Sequence, residues 1–155
     1  AIVMAHAFSN AAVDAIDISP EALEVARRNI ADYGLDDRVH AIESDLFAKA
    51  KGRRYDLIIC NPPYVTAAAM DALPAEYRHE PALALAAGRD GLDVVRRILA
   101  QARKHLNPRG VIAIEVGHNQ ELVSEAFPDL PAVWLDTEHA DGKVFVLTRE
   151  DLPGR

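Results

Sequence analysis

Asp56-Leu57-Ile58-Ile59-Cys60-Asn61-Pro62-Pro63-Tyr64 joins an unbroken apolar run to an abrupt stop. Leu57 to Cys60 have the composition of a strand covered on both faces in a parallel sheet. Pro62 and Pro63 have no N–H to give a ladder, and each pushes the residue before it into extended backbone. A strand therefore ends at a stiff lip. In open α/β sheets ligands gather just beyond the carboxyl ends of the strands, so Asn61 to Tyr64 is a candidate site by position alone. The Asn61 side-chain carbonyl and the Pro62 backbone carbonyl both accept hydrogen bonds. Two acceptors held close together suit a planar –NH2 group, which has two donors. Tyr64 adds an aromatic face that can stack on a flat substrate or attract a cation. The competing reading of these four residues is a proline-rich turn with an Asn cap.

Upstream, Ala1 to Phe8 is apolar and reads as a helix, and Ala11 to Asp17 as a short strand. Ser19 is a good N-cap, Pro20 a good first helical residue, and Glu21 suits the positive end of the helix dipole. The helix is expected to run to about Tyr33, with Leu23, Ala26 and Ile30 on one face and Gly34 closing it. Asp17 ends the strand before this helix. In nucleotide-type folds an acidic residue there accepts from ribose hydroxyls, about 20 residues after a glycine-rich loop. Counting back that far passes Ala1, so the loop and its strand are expected to be missing. By position alone Asp17 reads first as a solvated turn carboxylate. Val39 to Phe47 is a strand followed by a loop, in which Asp45 reads as a cap or turn residue and Leu46 and Phe47 as apolar cover for a flat base. Lys49 to Arg54 reads as a solvated basic loop.

Downstream, Thr66 to Gly88 lacks strong periodicity. A loop of that length in a compact domain is usually functional, and this one is expected to wall a substrate cleft. Glu80 within it either binds substrate backbone or braces the loop, and His79 reads as structural rather than catalytic. Leu92, Val95, Ile98, Leu99, Ala102 and Leu106 mark an amphipathic helix ending before Asn107. Val111 to Val116 reads as a buried strand and Asn119 to Phe127 as a helix. Trp134-Leu135 and Val144 to Leu147 read as strands around an Asp141-Gly142 turn. Strands alternating with helices, closed by an antiparallel pair, indicate an α/β fold.

The chain has 155 residues, half of them hydrophobic, and a formal net charge of -7. That length suits one domain with a real core. The acidic balance argues against a broad nucleic-acid groove, which needs clustered Lys and Arg. No apolar run approaches a membrane span, and no signal-peptide pattern is present. The single cysteine, Cys60, excludes an internal disulfide and fits a reducing cytoplasm. Cys60 lies within the apolar run and reads as a small core hydrophobe.

Asp56 to Tyr64 resembles the signature of amino-group methyltransferases that use S-adenosylmethionine. Together with Val65, Leu73 to Pro81 (which includes Tyr77-Arg-His-Glu-Pro81), Leu83 to Gly88, Asp90-Gly-Leu92 and Glu115-Val-Gly117, it is similar to the protein N(5)-glutamine methyltransferases, the HemK/PrmB group. The similarity runs from about Val13 to Leu152 and is strongest to the PrmB branch, which methylates a glutamine of large-subunit ribosomal protein L three.

The resemblance implies a Rossmann-like class I methyltransferase sheet, here incomplete. Residues 1–155 would be the C-terminal part of one catalytic domain, with a gap between the strands ending at Asp17 and Cys60 where the missing first strand would lie. It implies cofactor contacts from Asp17 and Ile18 to ribose, from Asp45 and Leu46 to adenine, and from Asn61. It implies a catalytic role for Asn61 and Pro62, and substrate contacts from Asn61, Pro62, Pro63, Tyr64 and Glu80. No metal and no membrane are implied, and the partner is a cytoplasmic ribosomal protein. Three alternatives stay open: methylation of a release-factor glutamine, methylation of an exocyclic base amine in nucleic acid, and a truncated chain without catalysis.

Overall fold

The computed structural model describes residues 1–64, 90–136 and 142–154, and the chain divides into two compact units, Ala1–Arg53 and Arg54–Arg155. The first unit runs α1 (Ile2–Ala7), β1 (Val13–Asp17), α2 (Pro20–Asp32) and β2 (Val39–Glu43). Ser19 caps α2 as its position dictates: its Oγ accepts from the Ala22 N–H at 3.1 Å. Past the helix end, Gly34 takes φ +63°, a left-handed conformation that costs glycine nothing. The helix buries Leu23 and Ile30, one face of its seven-residue repeat.

With α2 as the crossover, β1 and β2 pair in parallel, from Val13 opposite Val39 to Asp17 opposite Glu43. Ala5, Ile30, Leu35 and Val39 form a buried cluster here, with Ile2, Val13 and Ala41 packed against it. The basic loop after β2 is not simply solvated. Arg53 Nη1 lies 2.6 Å from Asp14 Oδ2, and the Asp14 side chain is only 11% exposed. A carboxylate that far from water requires a cation, and the loop supplies it.

The second unit contains β3 (Tyr55–Cys60), α3 (Asp93–Ala102), a 3-10 turn (Arg103–His105), β4 (Leu106–Glu115), α4 (Gln120–Ala126), β5 (Val133–Leu135) and β6 (Val144–Thr148). Its sheet has the order β3-β4-β6-β5. The β3–β4 pair is parallel, whereas β6 runs antiparallel to both β4 and β5. Ile112 and Ile114 of β4 and Phe145 and Leu147 of β6 are fully buried. α3 buries Val95, Ile98, Leu99 and Ala102, spacings of three, one and three that trace one helix face. Trp134 stands opposite Phe145 in the ladder, with ring centroids 5.2 Å apart. Residues 137–141, including the expected turn residue Asp141, lie outside the described residues.

Two expectations fail here. β3 is not covered on both faces: Leu57 is 38% and Ile59 57% exposed. Among the described residues β3 is an edge strand, paired only with β4. Leu106 is not the last residue of the preceding helix. The chain tightens into the 3-10 turn, and Leu106 then turns extended (φ -108°, ψ 140°) and pairs with Tyr55.

Arg103 leaves that turn with its Nη1 donating to the carbonyls of Arg149 at 2.8 Å and Leu152 at 2.7 Å, which fastens the residues after β6. Among the described residues no helix is long and apolar enough to cross a membrane.

Candidate active site

In the first unit the parallel register brings the ends of β1 and β2 together. The ladder continues one step past the strands, with the Ser44 N–H donating to the Asp17 carbonyl at 2.8 Å. Asp17 therefore ends β1 and Asp45 follows β2 at the carboxyl ends of adjacent parallel strands, the position where α/β sheets bind ligands. Both are exposed. Asp17 Oδ1 accepts the Ser19 N–H at 2.8 Å, so the turn role read for it is real. Its second oxygen makes no hydrogen bond among the described residues. Buried Ser44 shapes the next loop by accepting the Lys49 N–H at 2.9 Å on its Oγ. In that loop Leu46 takes φ +49°, uncommon for a side chain of its size, and stays half-buried. Ile18 is 48% exposed. Phe47, expected as cover for a base, is 8% exposed and belongs to the interior. The apolar surface at this end is therefore Ile18 and Leu46.

In the second unit the lip follows β3. Asn61 is exposed, Pro62 is buried, and Pro63 and Tyr64 are half-buried. The Asn61 side chain makes no hydrogen bond among the described residues, so its carbonyl and amide remain available. Cys60, just before the lip, donates its S–H toward the Ala113 carbonyl at 3.7 Å. Burial pushes its thiol up to about 12, which suits packing rather than nucleophilic chemistry. Glu80, His79 and the rest of Thr66 to Gly88 lie outside the described residues.

Three contacts on Tyr64 were not foreseen. Its carbonyl accepts from Asn119 Nδ2 at 2.8 Å. Gly91, at φ +78°, lies so close that a Cβ there would stand 2.6 Å from that same carbonyl oxygen. Gly117, at φ +57°, lies under the ring: a Cβ there would meet Cε2 at 2.7 Å and Cζ at 3.0 Å. Gly91 precedes α3, whose start is fixed by Asp90. The Asp90 carboxylate accepts the Leu92 N–H at 3.1 Å and lies 2.5 Å from Arg96 Nη2. The Arg96 hydrogen bond, aided by the Leu92 N–H, pulls the Asp90 carboxyl down to about 2.

The profile of the methyltransferase small domain matches residues 1–77. The chain is 54% identical to the ribosomal protein uL3 glutamine methyltransferase of Neisseria gonorrhoeae, over 99% of this chain and 51% of that protein. It is 57% identical to the protein of the same name from Bradyrhizobium diazoefficiens, over 98% of this chain and 48% of that protein. The chain thus spans about half the length of the curated relatives it matches.

Among solved structures it is similar to a methyltransferase from Pyrococcus furiosus, with TM-score 0.63 and 21% identity, over 96% of this chain and 68% of that one. It is also similar to the hMettl16 catalytic domain, with TM-score 0.64 and 15% identity, over 93% of this chain and 58% of that one. At those identities the likeness speaks for the fold, which is the class I methyltransferase fold. The chain belongs to the methyltransferase family of its uL3-named relatives.

Proposed function

We propose that the whole protein transfers a methyl group from S-adenosylmethionine to the side-chain amide nitrogen of a glutamine in ribosomal protein uL3. The observation that carries this reading is the lip. An exposed Asn61, its side chain uncommitted among the described residues, stands directly after a parallel strand and before a buried Pro62. The names of the relatives, at about half sequence identity, point to the same substrate.

The residues of the first unit suit the cofactor. Asp17 keeps one carboxylate oxygen for a ribose hydroxyl while the other holds the turn. Asp45 would take the adenine amino group, with Ile18 and Leu46 as apolar cover. When bound, S-adenosylmethionine supplies an electrophilic methyl on its sulfonium.

A glutamine amide nitrogen is a poor nucleophile because its lone pair is delocalised. Accepting both of its N–H bonds, at the Asn61 side-chain carbonyl and the Pro62 carbonyl, fixes the nitrogen and raises its electron density. Tyr64 would flank the amide plane, and Pro63 keeps the lip extended. Bound S-adenosylmethionine would supply the methyl and depart as the thioether, and the nitrogen held at Asn61 and Pro62 would shed its proton to solvent. Orientation and electrostatics supply the rate. A cytoplasmic substrate fits the single cysteine and the acidic chain.

The test is methyl incorporation by the whole protein into uL3, mapped by mass spectrometry, with Asn61→Ala beside it. A methylated uL3 glutamine is expected, and the variant should lose roughly 10²–10³ in rate, as when one preorganised hydrogen-bonding group is removed. Label in a release factor or in nucleic acid instead would overturn the reading.

A further inference from the structure

The lip cannot anchor itself through its own prolines. Pro62 and Pro63 offer no N–H, and the Asn61 side chain is uncommitted among the described residues. Among the described residues its side-chain hydrogen bond to the rest of the fold is received at Tyr64. Asn119 occupies the N-cap position of α4, where an Asn side chain ordinarily accepts from its own helix. Here it makes no cap hydrogen bond. Its Nδ2 donates instead to the Tyr64 carbonyl, 55 residues away in sequence.

Gly117 belongs to the same turn, closed by the Asn119 N–H donating to the Val116 carbonyl at 3.1 Å, and its bare Cα receives the Tyr64 ring. Gly91 completes the seat against the carbonyl. Two proline rings fix φ across the span from Asn61 to Tyr64, so a shift at Tyr64 passes to the Pro62 carbonyl and to Asn61 with little slack.

Resting on the function proposed above, we infer that Gly91, Gly117 and Asn119 are positioning residues that seat Tyr64 and thereby set the amide-binding acceptors. Asn119→Asp tests this cleanly. Aspartate is as good an N-cap as asparagine, so α4 keeps its start. The donor is lost and a carboxylate faces the Tyr64 carbonyl. Gly117→Ala tests the ring contact directly.

In the whole protein both variants are expected to lose about 10²-fold in kcat, the scale of a 1 Å misplacement of reacting groups. The KM for S-adenosylmethionine should stay within about twofold, and Asn119→Asp should stay folded with a modestly lowered melting temperature, since it loses the hydrogen bond to Tyr64. Fluorotyrosine at position 64 provides a readout independent of turnover, and its resonance is expected to shift in both variants. An unmoved resonance, or unchanged kcat on a methylated uL3 glutamine, would overturn the seat. Absence of uL3 methylation by the unsubstituted protein would overturn the substrate reading and leave the resonance to decide the seat.

Discussion

Asp17 performs two tasks with one carboxylate, and substituting asparagine separates them. Oδ1 holds the Ser19 N–H at 2.8 Å, and Oδ2 makes no hydrogen bond among the described residues. Asparagine keeps a carbonyl oxygen for Ser19, so the turn into α2 survives. It removes the charge that strengthens a hydrogen bond to a ribose hydroxyl. Charge-assisted hydrogen bonds contribute about 1.5–3 kcal/mol and neutral ones about 0.5–1.5. The difference, about 1–1.5 kcal/mol, is close to tenfold in affinity for each hydroxyl held.

Asp17→Asn should therefore weaken S-adenosylmethionine binding by about tenfold, or up to about a hundredfold if two hydroxyls share the carboxylate. Its melting temperature should stay near that of the unsubstituted protein. Asp17→Ala should weaken binding further, because the whole hydrogen bond is lost, and also cost about 1 kcal/mol of stability, because the Ser19 N–H loses its acceptor. Isothermal titration of the whole protein with the cofactor, paired with thermal unfolding, reads both quantities. Unchanged affinity in Asp17→Asn would refute the cofactor role and leave Asp17 as a turn residue alone.

Cys60, with its thiol raised to about 12 by burial, should resist alkylation at pH 8 in the folded protein and react at once in denaturant. Its folded value lies above the unfolded one, so its contribution to stability is complete below pH 9.0 and declines as pH rises toward 12. Rapid labelling of the native protein at pH 8, with the fold intact, would contradict this. Asp90 has the opposite sign. Its folded value of about 2 lies below the unfolded 3.8, so its contribution is present above 3.8 and is lost as pH falls toward 2. Amide exchange at Leu92, whose N–H it accepts, should accelerate across that interval relative to exchange at buried Ile98. Equal acceleration at both sites would show global acid unfolding instead.

The parts of the fold that were legible depend on local chemistry. Ser19, Pro20 and Gly34 mark the two ends of α2 because capping and left-handed backbone are settled within a few residues. Asp17, Asp45 and Asn61 could be placed at strand ends because strand boundaries follow apolar runs and proline. β3 was misread because an apolar run records what a strand can bury, not what covers it, and Leu57 and Ile59 are open. Leu106 was misread because the spacing of apolar residues continues unbroken while the backbone changes from helical to extended. The seat under Tyr64 was not legible at all. Gly91 and Gly117 announce unusual backbone, but only the tertiary fold says which atom occupies the room they leave. Asn119 was legible only as the start of a helix; that its side chain donates to the Tyr64 carbonyl is settled by the tertiary fold.

The Arg103 clamp bears on how the chain can be trimmed and tethered. One guanidinium nitrogen grips the carbonyls of Arg149 and Leu152, so the residues after β6 are stitched back to the end of α3 instead of fraying. A protease that cuts just before Leu152 severs that stitch. Such a cut strips a half-buried cation of an acceptor and loosens Leu152, which is 2% exposed. A fluorophore or surface linker attached at Gly154 stays outside the stitch, two residues beyond the last gripped carbonyl.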